Sequence, residues 1–163
     1  MGMLATVINS MALSSALRSE GIEAKVFTAT NMAPLAELYT RDNAVETLKA
    51  GGVALISGGT VNPFFSTDSG AALRALEIGA DAVLKGTRVD GVYTADPEKD
   101  PTAVKYDELT FQEALTKHLK VMDQTAFALC EQGPVPIVVF DINAPGALLA
   151  VLAGEKIGTL VHA

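Results

Sequence analysis

A chain of 163 residues, 49% hydrophobic and 19% charged, is long enough for one domain with a substantial core and is not the composition of a disordered protein. Its 12 Lys and Arg against 19 Asp and Glu give a net charge of -7, which excludes the basic footprint of a nucleic-acid binder but not a nucleotide substrate met by a few local cations. The single cysteine, Cys130, excludes an intrachain disulfide and fits a reducing cytoplasm; no apolar run reaches the ~20 residues of a membrane span, and no basic segment followed by an apolar stretch suggests a signal peptide.

The chain opens directly on a helical pattern. Leu4, Ile8 and Met11 recur at spacings of four and three, Leu17 extends that face, and Gly21 is the stop. No Ser, Thr, Asp or Asn precedes it as a cap. A native chain can start this way; the pattern also suits a helix whose cap and preceding segment are gone. Residues 24–28 read as a short strand and residues 31–40 mostly as loop. Asn43 and Glu46 stand at capping-box spacing, opening a short helix that Gly51 and Gly52 end. Residues 53–56 are a continuous apolar run, the pattern of a strand buried on both faces. A loop over 58–68 leads to a helix over 69–78, with Thr67 or Asp68 as its cap.

Residues 82–84 are the next buried strand, followed by a long loop punctuated by Gly86, Gly91, Pro97 and Pro101. Thr110 and Glu113 make a better capping box, opening a helix towards His118. A further helix over about 123–132 stops at Gly133 and Pro134. Residues 136–140 are a third buried strand. Pro145 suits the first turn of a last helix, closed by Gly154, and residues 157–161 suit a last strand. Apolar strands alternating with helices predict an α/β fold with a mostly parallel sheet, in one compact domain without repeat or linker. In such sheets ligands meet the loops that leave strand C-terminal ends.

Two loops leave strands in this way. In the first, Gly58 and Gly59 let backbone N–H groups approach a ligand, Thr60 adds a hydroxyl, and Asn62 both donates and accepts. Phe64 and Phe65 offer a flat surface for a base, and Ser66, Thr67 and Asp68 lead into a helix N-terminus suited to phosphate. The plainer alternative is a tight connection with a capped helix and two core phenylalanines. In the second, Tyr93 suits stacking on a base, Asp96 suits ribose hydroxyls, and Lys85 and Arg88 suit phosphate; the alternative is an Asp90-Gly91 turn with a half-buried Tyr93. Asp123 at a helix start is most simply a cap, and otherwise a carboxylate that holds a lysine in place. Walker-type and Rossmann glycine fingerprints are absent, neither His118 nor His162 has metal-ligand spacing to a partner, and Cys130 in its apolar stretch suits the core.

Together these stretches resemble the bacterial-type uridylate (UMP) kinases of the amino-acid kinase family. The resemblance rests on Gly59-Thr60-Val61-Asn62-Pro63-Phe64-Phe65-Ser66-Thr67-Asp68, on Thr87-Arg88-Val89-Asp90-Gly91-Val92-Tyr93-Thr94-Ala95-Asp96-Pro97, on the opening Met1-Gly2-Met3-Leu4-Ala5-Thr6-Val7-Ile8-Asn9 and on Lys120-Val121-Met122-Asp123, in the family's order. It covers essentially the whole chain. The Val89 to Pro97 stretch is common to other amino-acid kinases, whereas Asn62-Pro63-Phe64-Phe65 and the opening helix point to uridylate kinases. The resemblance implies a three-layer α/β/α sandwich, the reaction UMP + ATP → UDP + ADP with Mg²⁺ in cytoplasmic pyrimidine biosynthesis, a homohexamer, and GTP and UTP as effectors. It assigns Thr60, Val61, Asn62, Pro63, Phe64, Phe65, Ser66 and Thr67 to UMP, and Thr87, Tyr93 and Asp96 to ATP. Asp123 resembles the family's aspartate that orients a phosphate-contacting lysine, and no residue is assigned to a metal.

Two features depart from the family. It has Gly where Val61 stands, so backbone freedom is reduced there. The chain also resembles only the family's back two-thirds, without the first strand and the glycine-rich loop with its lysine. Phosphoryl transfer depends on positioned positive charge, so the chain as written is expected to turn over poorly alone, with an edge or apolar face left open. The competing readings are another kinase of the family, for aspartate, acetylglutamate or carbamate, and a non-catalytic nucleotide-binding or oligomerising fragment.

Overall fold

A computed structural model describes residues 2–163, in two compact units, one running to Ile78 and the other Gly79–Ala163. Met1, the first residue of the expected opening helix, lies outside the described residues.

The first unit runs α1 (Gly2–Ser19), β1 (Ala24–Thr28), β2 (Glu37–Leu38), α2 (Arg41–Lys49), β3 (Val53–Ser57) and α3 (Thr67–Ile78). Its sheet has the order β2-β1-β3, all parallel. Central β1 supplies the fully buried Ala24, Phe27 and Thr28. Helix α1 lies against β1 and β3 through Val7 and Ser14, while Leu4, Ile8 and Met11, the face expected to be buried, are exposed. Small side chains allow the close approach: the Ser14 hydroxyl donates to the Ala24 carbonyl at 3.1 Å, and Arg18 Nη2 donates to the same oxygen at 2.7 Å.

Several expected boundaries move. Two-residue β2 falls in the stretch read as loop, because both its side chains are exposed and leave no apolar signature. The cap of α2 is Thr40, whose Oγ1 accepts from Asn43 N, so Asn43 already lies inside the helix. Ser66 Oγ accepts from Ser69 N at 3.2 Å, so the cap lies one residue ahead of the earlier expected one and both Thr67 and Asp68 fall inside α3. Strand β3 is only half-buried, being an edge strand of its sheet. Tyr39, between β2 and α2, is tied to α3: its hydroxyl donates to Glu77 Oε2 at 2.8 Å, Arg74 pairs with Glu77 at 2.7 Å and its guanidinium lies 4.1 Å from the Tyr39 ring centroid. Burial, with the Glu77 carboxylate alongside, pushes the Tyr39 phenol up to about 12.

The second unit runs β4 (Val83–Thr87), β5 (Val92–Tyr93), β6 (Lys105–Tyr106), β7 (Glu108–Thr110), α4 (Phe111–Thr116), α5 (Gln124–Gln132), β8 (Ile137–Asp141), α6 (Ala147–Leu152) and β9 (Thr159–His162). The main sheet has the order β4-β8-β9-β7, with β4 parallel to β8, β9 antiparallel to β8 and parallel to β7. Ile137, Val139, Phe140 and Val161 fill the core from β8 and β9, and Phe111 meets Phe127 edge-on with ring centroids 5.2 Å apart. The Thr110–Glu113 capping box is formed in full. Edge strand β4 is half-buried rather than buried on both faces, and Pro145 precedes α6, which instead follows Gly146 at φ 78.

The long loop after β4 carries an antiparallel hairpin, β5-β6, that the sequence analysis reads as irregular. It is held from β9, far along the chain. Thr159, fully buried, accepts at Oγ1 from Val92 N at 2.8 Å and donates to the Tyr106 carbonyl. Gly91 makes this approach possible, since a Cβ there would stand 2.5 Å from Thr159 Oγ1 and 3.0 Å from Lys105 Cδ.

Candidate functional site

In the first unit the candidate residues sit on the loop between β3 and α3. Buried Ser57 ends the strand by donating to the Phe27 carbonyl at 3.2 Å. Gly58 and Gly59 then take φ of 83° and 64°, and Gly58 N donates to Thr6 Oγ1 of α1 at 2.9 Å. This fixes the loop's root while its tip faces solvent. Thr60 is half-buried and accepts from Asn62 N at 3.2 Å. Residues 61–67 are exposed, Phe64 completely so. The two phenylalanines therefore do not belong to the core, against one part of the plainer reading, whereas its capped helix is present. Thr67 is the first residue of α3, with Ser66 as the cap before it.

Val61 and Phe64 both have positive φ, 66° and 70°. For a β-branched residue this is a strained conformation, and glycine takes it freely. Val61 thus holds a glycine-type backbone, in keeping with the Gly that the resemblance leads one to expect at this position. Val61→Gly is expected to raise the unfolding free energy by about 0.5–1 kcal/mol, the left-handed penalty of roughly 1–2 kcal/mol less the extra freedom of glycine in the unfolded chain. Urea unfolding with an unchanged m-value measures it, and a lower midpoint would show that no strain resides at Val61.

In the second unit, Thr87 ends β4 and folds the following turn on itself: its Oγ1 donates to Val89 O at 2.7 Å and accepts from Val89 N at 2.9 Å. Tyr93 stands on β5, and its hydroxyl donates to Asp90 Oδ1 at 2.6 Å. Asp96 accepts from Glu98 N at 3.1 Å and pairs with Lys99 at 3.2 Å. Those bonds, with Lys120 nearby, hold its carboxyl below the usual carboxylate range, so it is ionised and accepting.

Tyr93 and Asp96 line one cavity of about 450 Å³, together with Lys99, Lys117, His118 and Lys120. Thr87 reaches it only through Val89, and Asp123 stands outside its wall. Asp123 is the N-cap of α5, accepting from Ala126 N at 2.9 Å. Lys117, His118 and Lys120 join the site only through the fold, without a role read from the sequence. The available signal is the density of basic residues over 117–120 between two helices of an acidic chain. Around the single carboxylate of Asp96, Lys99, Lys117 and Lys120 make the cavity locally cationic, as a polyphosphate requires.

Cys130 is fully buried, and burial pushes its thiol up, against a nucleophilic role. Among the described residues no group of three or more His, Cys, Asp or Glu is placed to hold a metal ion, and no helix is long and apolar enough to cross a membrane.

The chain is 59% identical over 162 residues to a uridylate kinase of Parabacteroides distasonis, a match covering 99% of the chain and 69% of that relative. It is 60% identical over 161 residues to a uridylate kinase of Porphyromonas gingivalis, covering 99% and 67%. Among solved structures, UMP kinase from Bacillus anthracis superposes with a TM-score of 0.95 at 36% identity, covering 99% of this chain and 67% of that one. UMP kinase from Ureaplasma parvum gives 0.93 at 39% identity, covering 99% and 69%. The chain thus spans about two-thirds of the length of the relatives it matches, and its mostly parallel α/β architecture is theirs. With a sequence model of the amino acid kinase family matching residues 1–141, the chain belongs to the amino acid kinase family.

Proposed function

We propose that this chain serves as a UMP kinase, moving the γ-phosphoryl group of ATP to UMP for pyrimidine nucleotide synthesis. The observation that carries this reading is the exposed Phe64-Phe65 pair on a loop running into a helix N-terminus, a feature suited to a base and a phosphate and not to a small amino acid or carbamate. Thr60, Val61, Asn62, Pro63, Phe64, Phe65, Ser66 and Thr67 hold UMP, with Thr67 and the first turn of α3 at its phosphate. Tyr93 packs on the adenine, Asp96 accepts from the ribose hydroxyls, and Thr87 shapes the loop that carries them. A phosphate oxygen of UMP attacks the γ-phosphorus as the bond to the ADP oxygen breaks, so the protein's part is positioning and charge. Asp123, the N-cap of α5, stands where the resemblance puts the aspartate that orients a lysine of the glycine-rich loop; this sequence does not contain that loop, so the chain alone is expected to bind nucleotides but turn over poorly. Mg²⁺ would arrive with the ATP substrate and would supply positive charge at its phosphates, with no residue of this chain assigned to hold it.

A homo-oligomer, hexameric by the resemblance, fits the exposed Leu4, Ile8 and Leu13 of α1. A cytoplasmic setting fits the unpaired Cys130. GTP and UTP are the effectors the resemblance suggests.

Separate binding titrations with ATP and UMP test the assignment. Asp96→Ala should weaken ATP binding with little change for UMP. Thr67→Ala should do the reverse, by about 1–3 kcal/mol for a hydrogen bond to a charged phosphate. Equal effects of each variant on both nucleotides, or a chain that responds only to aspartate, glutamate or carbamate, would overturn the reading.

A further inference from the structure

Three side chains close a small ring on the β5-β6 hairpin. Tyr93 and Lys105 are cross-strand partners. Asp90, just before the hairpin, takes the Tyr93 hydroxyl on Oδ1 at 2.6 Å and the Lys105 ammonium on Oδ2 at 3.1 Å. Both carboxylate oxygens are thus engaged, one on each strand. A tyrosine ring on a short, solvent-facing hairpin would otherwise turn about χ1 and χ2, and ordering it would be left to the ligand.

We propose that Asp90 is a positioning residue for nucleotide binding: it fixes the Tyr93 ring in the orientation that stacks on the base, while Lys105 cancels its charge so that the carboxylate does not repel the incoming phosphates. This rests on the reading of Tyr93 as the ATP contact. Two properties of the ring support it. The Tyr93 phenol is held above its ordinary value chiefly because its proton is engaged by Asp90, and Asp90 is held below its own chiefly by the Tyr93 hydroxyl. Tyr93 also lines the cationic cavity with Asp96 and Lys120, whereas Asp90 and Lys105 do not, so their effect on a ligand there runs through the ring.

The test is a double-mutant cycle on the 163-residue chain, read as the dissociation constant for ATP, with UMP as control. Tyr93→Phe keeps the aromatic face and loses the hydroxyl; it should weaken ATP about three- to tenfold, the worth of one hydrogen bond's ordering. Asp90→Ala should do the same, and the double variant should be no worse than either single one. Asp90→Asn keeps an acceptor for the hydroxyl and should bind ATP close to the native level, while the Tyr93 phenol titrates at lower pH in the absorbance of its phenolate. UMP binding should be unchanged throughout. Additive losses in the double variant, a Tyr93→Phe chain with native ATP affinity, or parallel losses for UMP would overturn the proposal. Should Asp90→Ala not fold, the contrast between Tyr93→Phe and Asp90→Asn decides it alone. Native ATP affinity in Tyr93→Ala would instead refute the assignment of Tyr93 to ATP, a failure distinct from additive losses.

Discussion

Thr159→Val is expected to destabilise the second unit by about 2–4 kcal/mol, because it keeps the shape of the side chain but strands two polar groups that the hydroxyl serves. Thr159 is fully buried, and its Oγ1 both accepts from Val92 N and donates to the Tyr106 carbonyl. One atom therefore joins β9 to both strands of the β5-β6 hairpin. Valine leaves the buried Val92 N–H without its partner and the Tyr106 carbonyl to be met otherwise. Thr159→Ser retains the hydroxyl and loses one methyl group, so it should cost about 1 kcal/mol. Guanidinium unfolding of the three chains measures the difference. Thr159→Val within 0.5 kcal/mol of the native chain would show that the hairpin is not held from β9. Because Tyr93 stands on that hairpin, Thr159→Val should also weaken ATP and spare UMP, whose proposed loop belongs to the first unit.

This pin also explains what the sequence does and does not reveal. Strands β3 and β8 are legible as apolar runs, β1 as a short mainly apolar stretch, and β4 only through its apolar start at 83–84, since Lys85, Gly86 and Thr87 carry no such pattern; α4 and α5 are legible because a side chain at the right spacing satisfies free N–H groups. The β5-β6 hairpin has two residues in each strand, and the group that fixes it lies 67 residues from Val92 in sequence. No local pattern can report such a contact; only Gly91, required by the close approach of Thr159, leaves a trace. The buried face of α1 is misjudged for a related reason: apolar residues occur all round that helix, and packing against β1 and β3 selects small Ser14 over Leu4, Ile8 and Met11. At the candidate site, Tyr93 and Asp96 are legible as an aromatic and an acceptor in one strand-end loop. Lys117, His118 and Lys120 reach the same cavity from beyond α4, and that encounter belongs to the tertiary fold.

The two phenylalanines of the β3-α3 loop allow binding to be separated from folding. A core phenylalanine replaced by alanine costs about 3–5 kcal/mol of stability. Phe64 is fully exposed and Phe65 half so, and Phe64 keeps φ at 70°, a strain that alanine does not relieve. Phe64→Ala and Phe65→Ala should therefore leave the unfolding free energy within about 0.5 kcal/mol of the native chain, as surface substitutions do. If one ring stacks on uracil, its loss should weaken UMP about five- to hundredfold, the effect of removing one aromatic from a base, and leave ATP unchanged. The paired measurement matters because each alternative predicts a different combination. Phenylalanines that serve the fold would lower stability and affect UMP only through unfolding. Phenylalanines that serve a protein contact would change the oligomeric state, with nucleotide affinity preserved at a concentration where the chain stays associated. Only loss of UMP affinity in a stable chain of unchanged association agrees with a base platform, and native UMP affinity in the Phe64→Ala, Phe65→Ala double variant would remove the observation on which the UMP assignment stands.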